Sequence, residues 1–573
     1  MTTISEVLRA RRFLTGALVS RLDRSFLARS SRIAFLVIVG FLVLDPLIRL
    51  QILAFGHGTV DYARALHSPG FASVIETTVY LALGSLAIAL VLGTALALFA
   101  VRLPTSLQWM SVLPILPIVI PAVANVTGWA FLLSPRVGYL NVALRRASFL
   151  FPGNSGPIDI YSVPWIVVLT GFGLTSFVYV FVRTGLQDLN VEFTEASRVA
   201  GSSAMRTYFT VVLPLLRPVL LYGGGIALLL GLGQFTGPLL LGGQENVQVL
   251  TTQMYNYTSQ PPVSFGVAAA IGSPLLLAGI IIVFLQRVAL GDRSRFVTHG
   301  GRAVRTPSRS SRWACLPLAV FALVAIVLPL AALAVVSLSP FYSGHIQPSQ
   351  WTLTNYQNLF KGAVFQSVKT SVIASSIGVA VTVPVGYLAA MILYDNRRDS
   401  ALTSVLDFVV NLPLGVPAVV FGVGFLYSYS RPPFILYGKT AVFVVVYVTL
   451  MLPYATRMIL GARVALGDQY VWAARVSGAG PLRTHMQIIG PLLRTAMVGA
   501  AALILVLLQQ EFSASVLVAS GTSQVMGTQL FDLWTTSGYP QVAAMALLMC
   551  FITGIGVVVV TLFGLPGRSR AHR

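Results

Sequence analysis

The chain has 573 residues, 56% hydrophobic and 10% charged, with a mean hydropathy of +0.82. A soluble globular domain carries about 25% charged residues, so this composition excludes a single aqueous fold and places most of the chain in lipid. The formal net charge is +21, but the arginines gather in loops and tails, the pattern of a membrane orientation signal and not of a nucleic-acid footprint.

Residues 1–32 carry Arg9, Arg11, Arg12, Arg21, Arg24, Arg29 and Arg32 and no long apolar stretch. They read as a retained cytoplasmic tail, not as a signal peptide. Six apolar runs follow in a first half, residues 33–290: Ile33–Leu53, Phe71–Val101, Leu107–Leu133, Pro164–Arg183, Val211–Leu241 and Gly266–Val288. A Gly/Ser/Arg-rich linker, 291–312, holds Arg293, Arg295, Arg302, Arg305, Arg309 and Arg312. Six more runs fill a second half, residues 313–565: Trp313–Leu338, Gln366–Leu393, Ala401–Tyr427, Thr440–Leu460, Ile488–Ala519 and Val542–Leu565. Each run is long enough to cross roughly 30 Å of hydrocarbon. The tail 566–573 is basic again, with Arg568, Arg570 and Arg573.

An even number of spans puts both termini and the linker on one side, and the arginines make that side the cytoplasm. The loops on the other side, such as Gly242–Phe265 and Ser520–Gln541, are almost free of basic residues; Arg136, Arg145 and Arg146 run against that trend. The expected fold is therefore an all-α polytopic membrane protein with about twelve transmembrane helices in two tandem six-helix repeats. Halves of six spans share one orientation, which gives a parallel repeat about an axis along the membrane normal.

The repeat is legible residue by residue. At an offset of 277, Glu195–Pro218 (EASRVAGSSAMRTYFTVVLPLLRP) falls on Trp472–Thr495 (WAARVSGAGPLRTHMQIIGPLLRT), with ten of 24 positions identical. Leu116–Val123 (LPIVIPAV) has its counterpart in Leu412–Val419 (LPLGVPAV), and Gln234-Phe235 falls on Glu511-Phe512. Each repeated loop, about 186–210 and 463–487, starts as a short amphipathic helix, with Phe193, Ala196, Val199 and Ala200 on one face in the first copy. Gly201 or Gly478 supplies a positive φ that ends the helix. Ser202 or Ser203 caps the next helix, or Gly480-Pro481 does so, and Pro214 or Pro491 marks the start of the next span.

These loops resemble the EAA loop of binding-protein-dependent ABC importer permeases. That pattern is Glu-Ala-Ala, a glycine four residues on, and Leu-Pro about a dozen residues later. The first copy has Glu195-Ala196-Ser197, Arg198, Gly201, Arg206 and Leu213-Pro214; the second has Trp472-Ala473-Ala474, Arg475, Gly478, Arg483 and Gly490-Pro491. The resemblance implies a type I ABC importer permease fold in the bacterial inner membrane. It also implies that each loop forms a coupling helix seated in a groove of a cytoplasmic ATPase subunit. Two ATPase copies would carry ATP and Mg, a periplasmic binding protein would deliver substrate, and this chain would bind no cofactor or nucleic acid and contact only lipid and these partners. Trp472 departs from the family's glutamate, which leaves room for unequal docking sites.

Over its whole length the chain is similar to fused double permeases of ferric-iron importers, through Glu511-Phe512-Ser513-Ala514-Ser515, Val525–Thr535, Tyr539–Leu547 and the first-half counterpart Val249–Tyr257. Permeases for thiamine, polyamines, phosphonates and sulfate share much of this pattern.

No hydrolytic chemistry is expected on this chain. Gly438-Lys439-Thr440 lacks the first P-loop glycine, because Pro433 stands there. The six histidines (His57, His67, His299, His345, His485, His572) are dispersed, and Cys315 and Cys550 have no metal-ligand spacing. Ionisable residues within spans are functional candidates. Glu511 with its repeat partner Gln234 is the candidate pathway or gate pair, against the alternative that both only fix packing; Asp45 and Arg49, four apart on one span, read as a structural pair. A secondary transporter would need coupling-ion carboxylates, and only Glu511 and Asp45 are on offer. It would also need an Asp-Arg-rich motif after the second span, where the chain reads Arg102-Leu103-Pro104.

Overall fold

The computed structural model describes residues 30–145, 156–189, 191–290, 310–395 and 400–564. The tail arginines up to Arg29, Arg146, the linker arginines from Arg293 to Arg309, and Arg568, Arg570 and Arg573 lie outside the described residues, as do most of the tail and linker segments 1–32, 291–312 and 566–573.

The first half comprises α1 (Ser30–Ala54), α2 (Phe71–Ala100), a 3-10 helix (Thr105–Val119) leading into α3 (Ala122–Leu133), α4 (Val163–Asp188), α5 (Val191–Val199), α6 (Arg217–Leu232), α7 (Leu250–Ser259) and α8 (Phe265–Leu290). The second comprises α9 (Arg312–Leu338), α10 (Gly362–Asp395), α11 (Ser400–Gly415), α12 (Ala418–Tyr429), α13 (Thr440–Leu466), α14 (Gln469–Val476), α15 (Arg494–Gln509), α16 (Met526–Thr535) and α17 (Tyr539–Gly564). Nine helices among the described residues are long and apolar enough to cross a membrane, and twelve spans result when each of three bent pairs counts as one.

Small residues set the packing. With lipid on the outside, helices gain by close approach and not by a hydrophobic drive, so glycine marks the contacts. In the first half, Gly84 meets Val167 and Gly171 meets Ile88 where α2 crosses α4. The halves are also interlocked. A Cβ on Gly128 of α3 would lie 2.8 Å from the Pro329 carbonyl oxygen of α9, and one on Gly424 of α12 would lie 2.5 Å from that of Pro46 in α1. The opening helix of each half thus packs on the third span of the other. On α1, Arg49 Nε donates to Asp45 Oδ1 at 2.7 Å, as the four-residue spacing predicts.

Three features refine the spans and loops read from the sequence. The third span of each half is not one helix. The chain bends by 95° between Thr105–Val119 and α3, and by 107° between α11 and α12. The breaks fall inside the repeated LPIVIPAV and LPLGVPAV. A proline drives the residue before it out of the helical region, and Ile120, ahead of Pro121, is extended at φ −82°, ψ 123°.

The fifth span of each half is also interrupted. Helix α6 stops at Leu232 and a short helix resumes at Thr236; α15 stops at Gln509 and a turn resumes at Ser515. Gln234 and Glu511 therefore sit in unwound backbone and not within helices. Finally, the loops Gly242–Phe265 and Ser520–Gln541 are not plain external connections, because each contains a helix, α7 or α16, whose first turns are buried.

Candidate functional site

The two repeated loops share one backbone. Helices α5 and α14 end in glycines at φ +81° (Gly201) and +77° (Gly478), the left-handed region that a residue with a Cβ avoids. The orphan carbonyls are taken up in matching fashion. Gly201 N donates to Arg198 O and Ser202 N to Ser197 O; Gly478 N donates to Arg475 O and Ala479 N to Ala474 O. This crossed pair of bonds is a Schellman-type stop.

The next helices also start alike. Ser203 caps Ala204–Thr207 by accepting from Arg206 N at 3.3 Å, and Gly480 precedes Pro481 at the first position of Pro481–Thr484. Each then widens into a π-helical turn, Tyr208–Val212 or His485–Ile489, before Pro214 or Pro491. Proline removes an amide and crowds the carbonyl four residues back, and a π turn accommodates both. The spans α6 and α15 start only after a kink at Leu216 and Leu493, so Pro214 and Pro491 stand just ahead of the spans they were expected to open.

Among the predicted loop residues, Glu195, Ala196, Arg198, Arg206, Trp472, Ala473, Arg475 and Arg483 are exposed, while Ser197 is half-buried and Ala474 buried. Val199 and Val476, one full repeat apart, are each 90% exposed, and Met205, Leu482 and Met486 also stand clear of the protein.

The structure brings Gln234 and Glu511 onto one cavity of ≈ 330 Å³ between the halves. Asn125, Thr170 and Gln234 line it from the first half; Pro417, Tyr454 and Glu511 line it from the second. Interrupted helices are tolerated at membrane depth only where protein or a cavity satisfies the freed backbone, and here one bond crosses the repeat while the others stay within a half. Gln510 Nε2 donates to Ile118 O at 2.7 Å, at the break of the first half's third span. Thr251 Oγ1 donates to Gln234 O at 2.6 Å, Gln234 Nε2 donates to Thr170 Oγ1 at 3.2 Å, and Glu511 Oε1 accepts from Ala514 N at 2.7 Å. Among the described residues no group of three His, Cys, Asp or Glu side chains could hold a metal ion.

Immediately after the two breaks, Phe235 and Phe512 stack at 5.7 Å across the boundary between halves. Tyr255 and Phe531 complete a quartet, at 5.8 Å from Phe235, 5.7 Å from Phe512 and 6.2 Å from each other. The second pair comes from helices α7 and α16. Those helices are held by equivalent bonds, Leu250 N to Thr78 Oγ1 at 2.9 Å and Met526 N to Ser371 Oγ at 2.7 Å.

Sequence reasoning missed this quartet. Its available signal was that Tyr255 falls on Phe531 at an offset of 276, one less than the loop repeat. A further cluster ties the halves through Phe131, Tyr342, Trp534 and Tyr539. Burial, with the neighbouring Tyr161, Tyr139 and Tyr539, pushes the Tyr342 hydroxyl well above the usual tyrosine range, and it donates to Phe131 O at 3.0 Å.

The profile of the binding-protein-dependent transport system inner membrane component family matches residues 70–290 and again 382–565, more than half of the chain. The chain belongs to this family. It is a multi-pass inner-membrane permease with two family domains in one polypeptide. Among its relatives is the probable ABC transporter permease protein y4fN of Sinorhizobium fredii, 29% identical over 67% of this chain and 68% of the relative. The ferric transport system permease protein FbpB of Actinobacillus pleuropneumoniae is 24% identical over 90% of this chain and 73% of its own length. The spermidine/putrescine transport system permease protein PotB of Salmonella typhimurium is 27% identical over 39% of this chain, within one half's length, and 77% of its own. Permeases of this family work with an ATPase and a substrate-binding protein.

Proposed function

We propose that this permease imports ferric iron delivered by a periplasmic binding protein, driven by two cytoplasmic ATPase subunits that dock on the loops around Glu195–Pro214 and Trp472–Pro491. The single observation that supports docking is the pair of equivalent uncovered apolar turns: exposed Val199 and Val476 on loops whose backbones match bond for bond. Exposed apolar residues at corresponding places on a repeat fit a partner that is itself two-fold. Both termini then lie on the cytoplasmic side with these loops. ATP and Mg belong to the ATPase subunits in this reading. Iron is favoured over polyamines, thiamine, phosphonates or sulfate because the ferric permease relative aligns along both halves.

In this reading the cavity at Gln234 and Glu511 is a segment of the pathway, and the aromatic quartet closes it. Closure of the ATPases on ATP presses both loops inward, kinks at Leu216 and Leu493 pass the movement to α6 and α15, and the rings part. The test is Gly201→Leu and Gly478→Leu, made separately. A side chain in the left-handed region costs roughly 1–2 kcal/mol, so each loop loses its shape while the spans still insert. The expected result is loss of ATPase stimulation by the binding protein in proteoliposomes. Full coupling in both variants would refute the docking assignment.

A further inference from the structure

Glu511 is a carboxylate at membrane depth with no basic partner among the described residues. Three other carboxylates of the spans and their ends meet an arginine: Asp45 with Arg49 at 2.7 Å, Asp407 with Arg457 at 2.8 Å, and Asp468 with Arg463 at 3.3 Å. Glu511 accepts only from backbone amides, from Ala514 at 2.7 Å and also from Ser513 and Ser515. No lysine, arginine or histidine lines its cavity. The lining supplies further oxygens. Asn125 Oδ1 is buried without a hydrogen-bond partner, and Gln234 spends its amide nitrogen on Thr170.

Leaving an ionised group without counter-charge at this depth costs several kcal/mol. A packing role does not require that cost, since the repeat partner at the same place is the neutral Gln234. A visiting positive charge offsets it.

We propose that the cavity is a transit site for a desolvated cation, with Glu511 as its counter-charge and Asn125 and Gln234 as neutral oxygen ligands. One carboxylate with amide oxygens is a hard-donor set. It is sparse enough to bind weakly, which conduction requires, because a cargo that binds tightly does not leave. The same site repels sulfate and phosphonate. The proposal rests on the importer reading above and narrows its cargo to positively charged species.

The pseudo-symmetry provides the test. In proteoliposomes holding the permease, its ATPase and the binding protein charged with ferric iron, iron imported per ATP hydrolysed is measured for wild type, Glu511→Gln and the double variant Gln234→Glu with Glu511→Gln. Removing the charge lowers the ratio by about tenfold. Moving it across the pseudo-axis onto the same cavity restores the ratio to within about threefold of wild type, which a merely structural role for Glu511 would not do. A wild-type ratio in Glu511→Gln overturns the proposal, as does a double variant no better than the single one. Import of putrescine by wild type with the same dependence on Glu511 supports the cation site while dismissing iron; import of sulfate or phosphonate overturns it. Absence of any binding-protein-stimulated ATP hydrolysis in wild type marks failure of the importer reading instead.

Discussion

The repeated loop of the second half is braced by a buried arginine, whereas that of the first is joined by a pair of hydroxyls. Arg463 is 1% exposed; it lies 3.8 Å over the Tyr394 ring, donates to Gly467 O at 2.6 Å and reaches Asp468 Oδ1 at 3.3 Å. Tyr394 Oη donates to the same Asp468 oxygen at 2.7 Å, and Asp468 stands directly before α14. At the 277 offset the first half has Leu186 in place of Arg463 and Val191 in place of Asp468. Its loop is joined instead by Ser197 Oγ and Thr207 Oγ1, 3.0 Å apart, where the second half packs the methyl of Ala474. One backbone shape is thus held by different means. The turn chemistry of glycine and proline dictates the shape, and side-chain pairs decide how firmly it stays.

The sharpest way to break this comparison is Asp468→Ala. A hydrogen bond to a charged group contributes roughly 1.5–3 kcal/mol, and the buried guanidinium of Arg463 loses its carboxylate. Amide exchange in 468–480 is expected to accelerate by about 10- to 150-fold, with 191–207 unchanged; equal acceleration in both loops would remove the asymmetry. A smaller effect is expected from Thr207→Val, which deletes the hydroxyl pair of the first loop. That change is worth about 1 kcal/mol, so exchange in 191–207 rises about fivefold while the second loop keeps its rate. The smallest is Trp472→Glu, which gives the second loop the acidic residue of the first. Both positions face solvent, so the melting temperature corresponds to less than about 0.5 kcal/mol of change. The measurement of interest is ATPase affinity, and a change of less than about twofold would show that Glu195 and Trp472 are interchangeable in docking.

Much of this architecture is legible in the residues. Composition and run length give twelve spans, the 277 offset gives the parallel repeat, and Gly201, Gly478, Ser203 and Pro481 give the loop turns, because a positive φ, an N-cap and a first-turn proline are local requirements. Hydropathy does not show breaks within a span, because Leu, Pro and Val are apolar whether helical or not. The repeated LPIVIPAV and LPLGVPAV read as matched sequence, and that they turn the chain through 95° and 107° emerges only from the fold. The same holds for the external loops, whose polar composition conceals α7 and α16.

The sequence by itself determined the class, the repeat and the shape of the loops, since each depends on neighbours within one turn or on the thickness of a bilayer. Tertiary structure alone decided the rest: that each half's first helix packs on the other half, that Gln510 satisfies Ile118, and that Gln234 and Glu511 share one cavity beside four packed rings. Those contacts join residues hundreds of positions apart. Glycines admit the close crossings between halves, and at the broken third span a side chain of the opposite half satisfies the freed backbone.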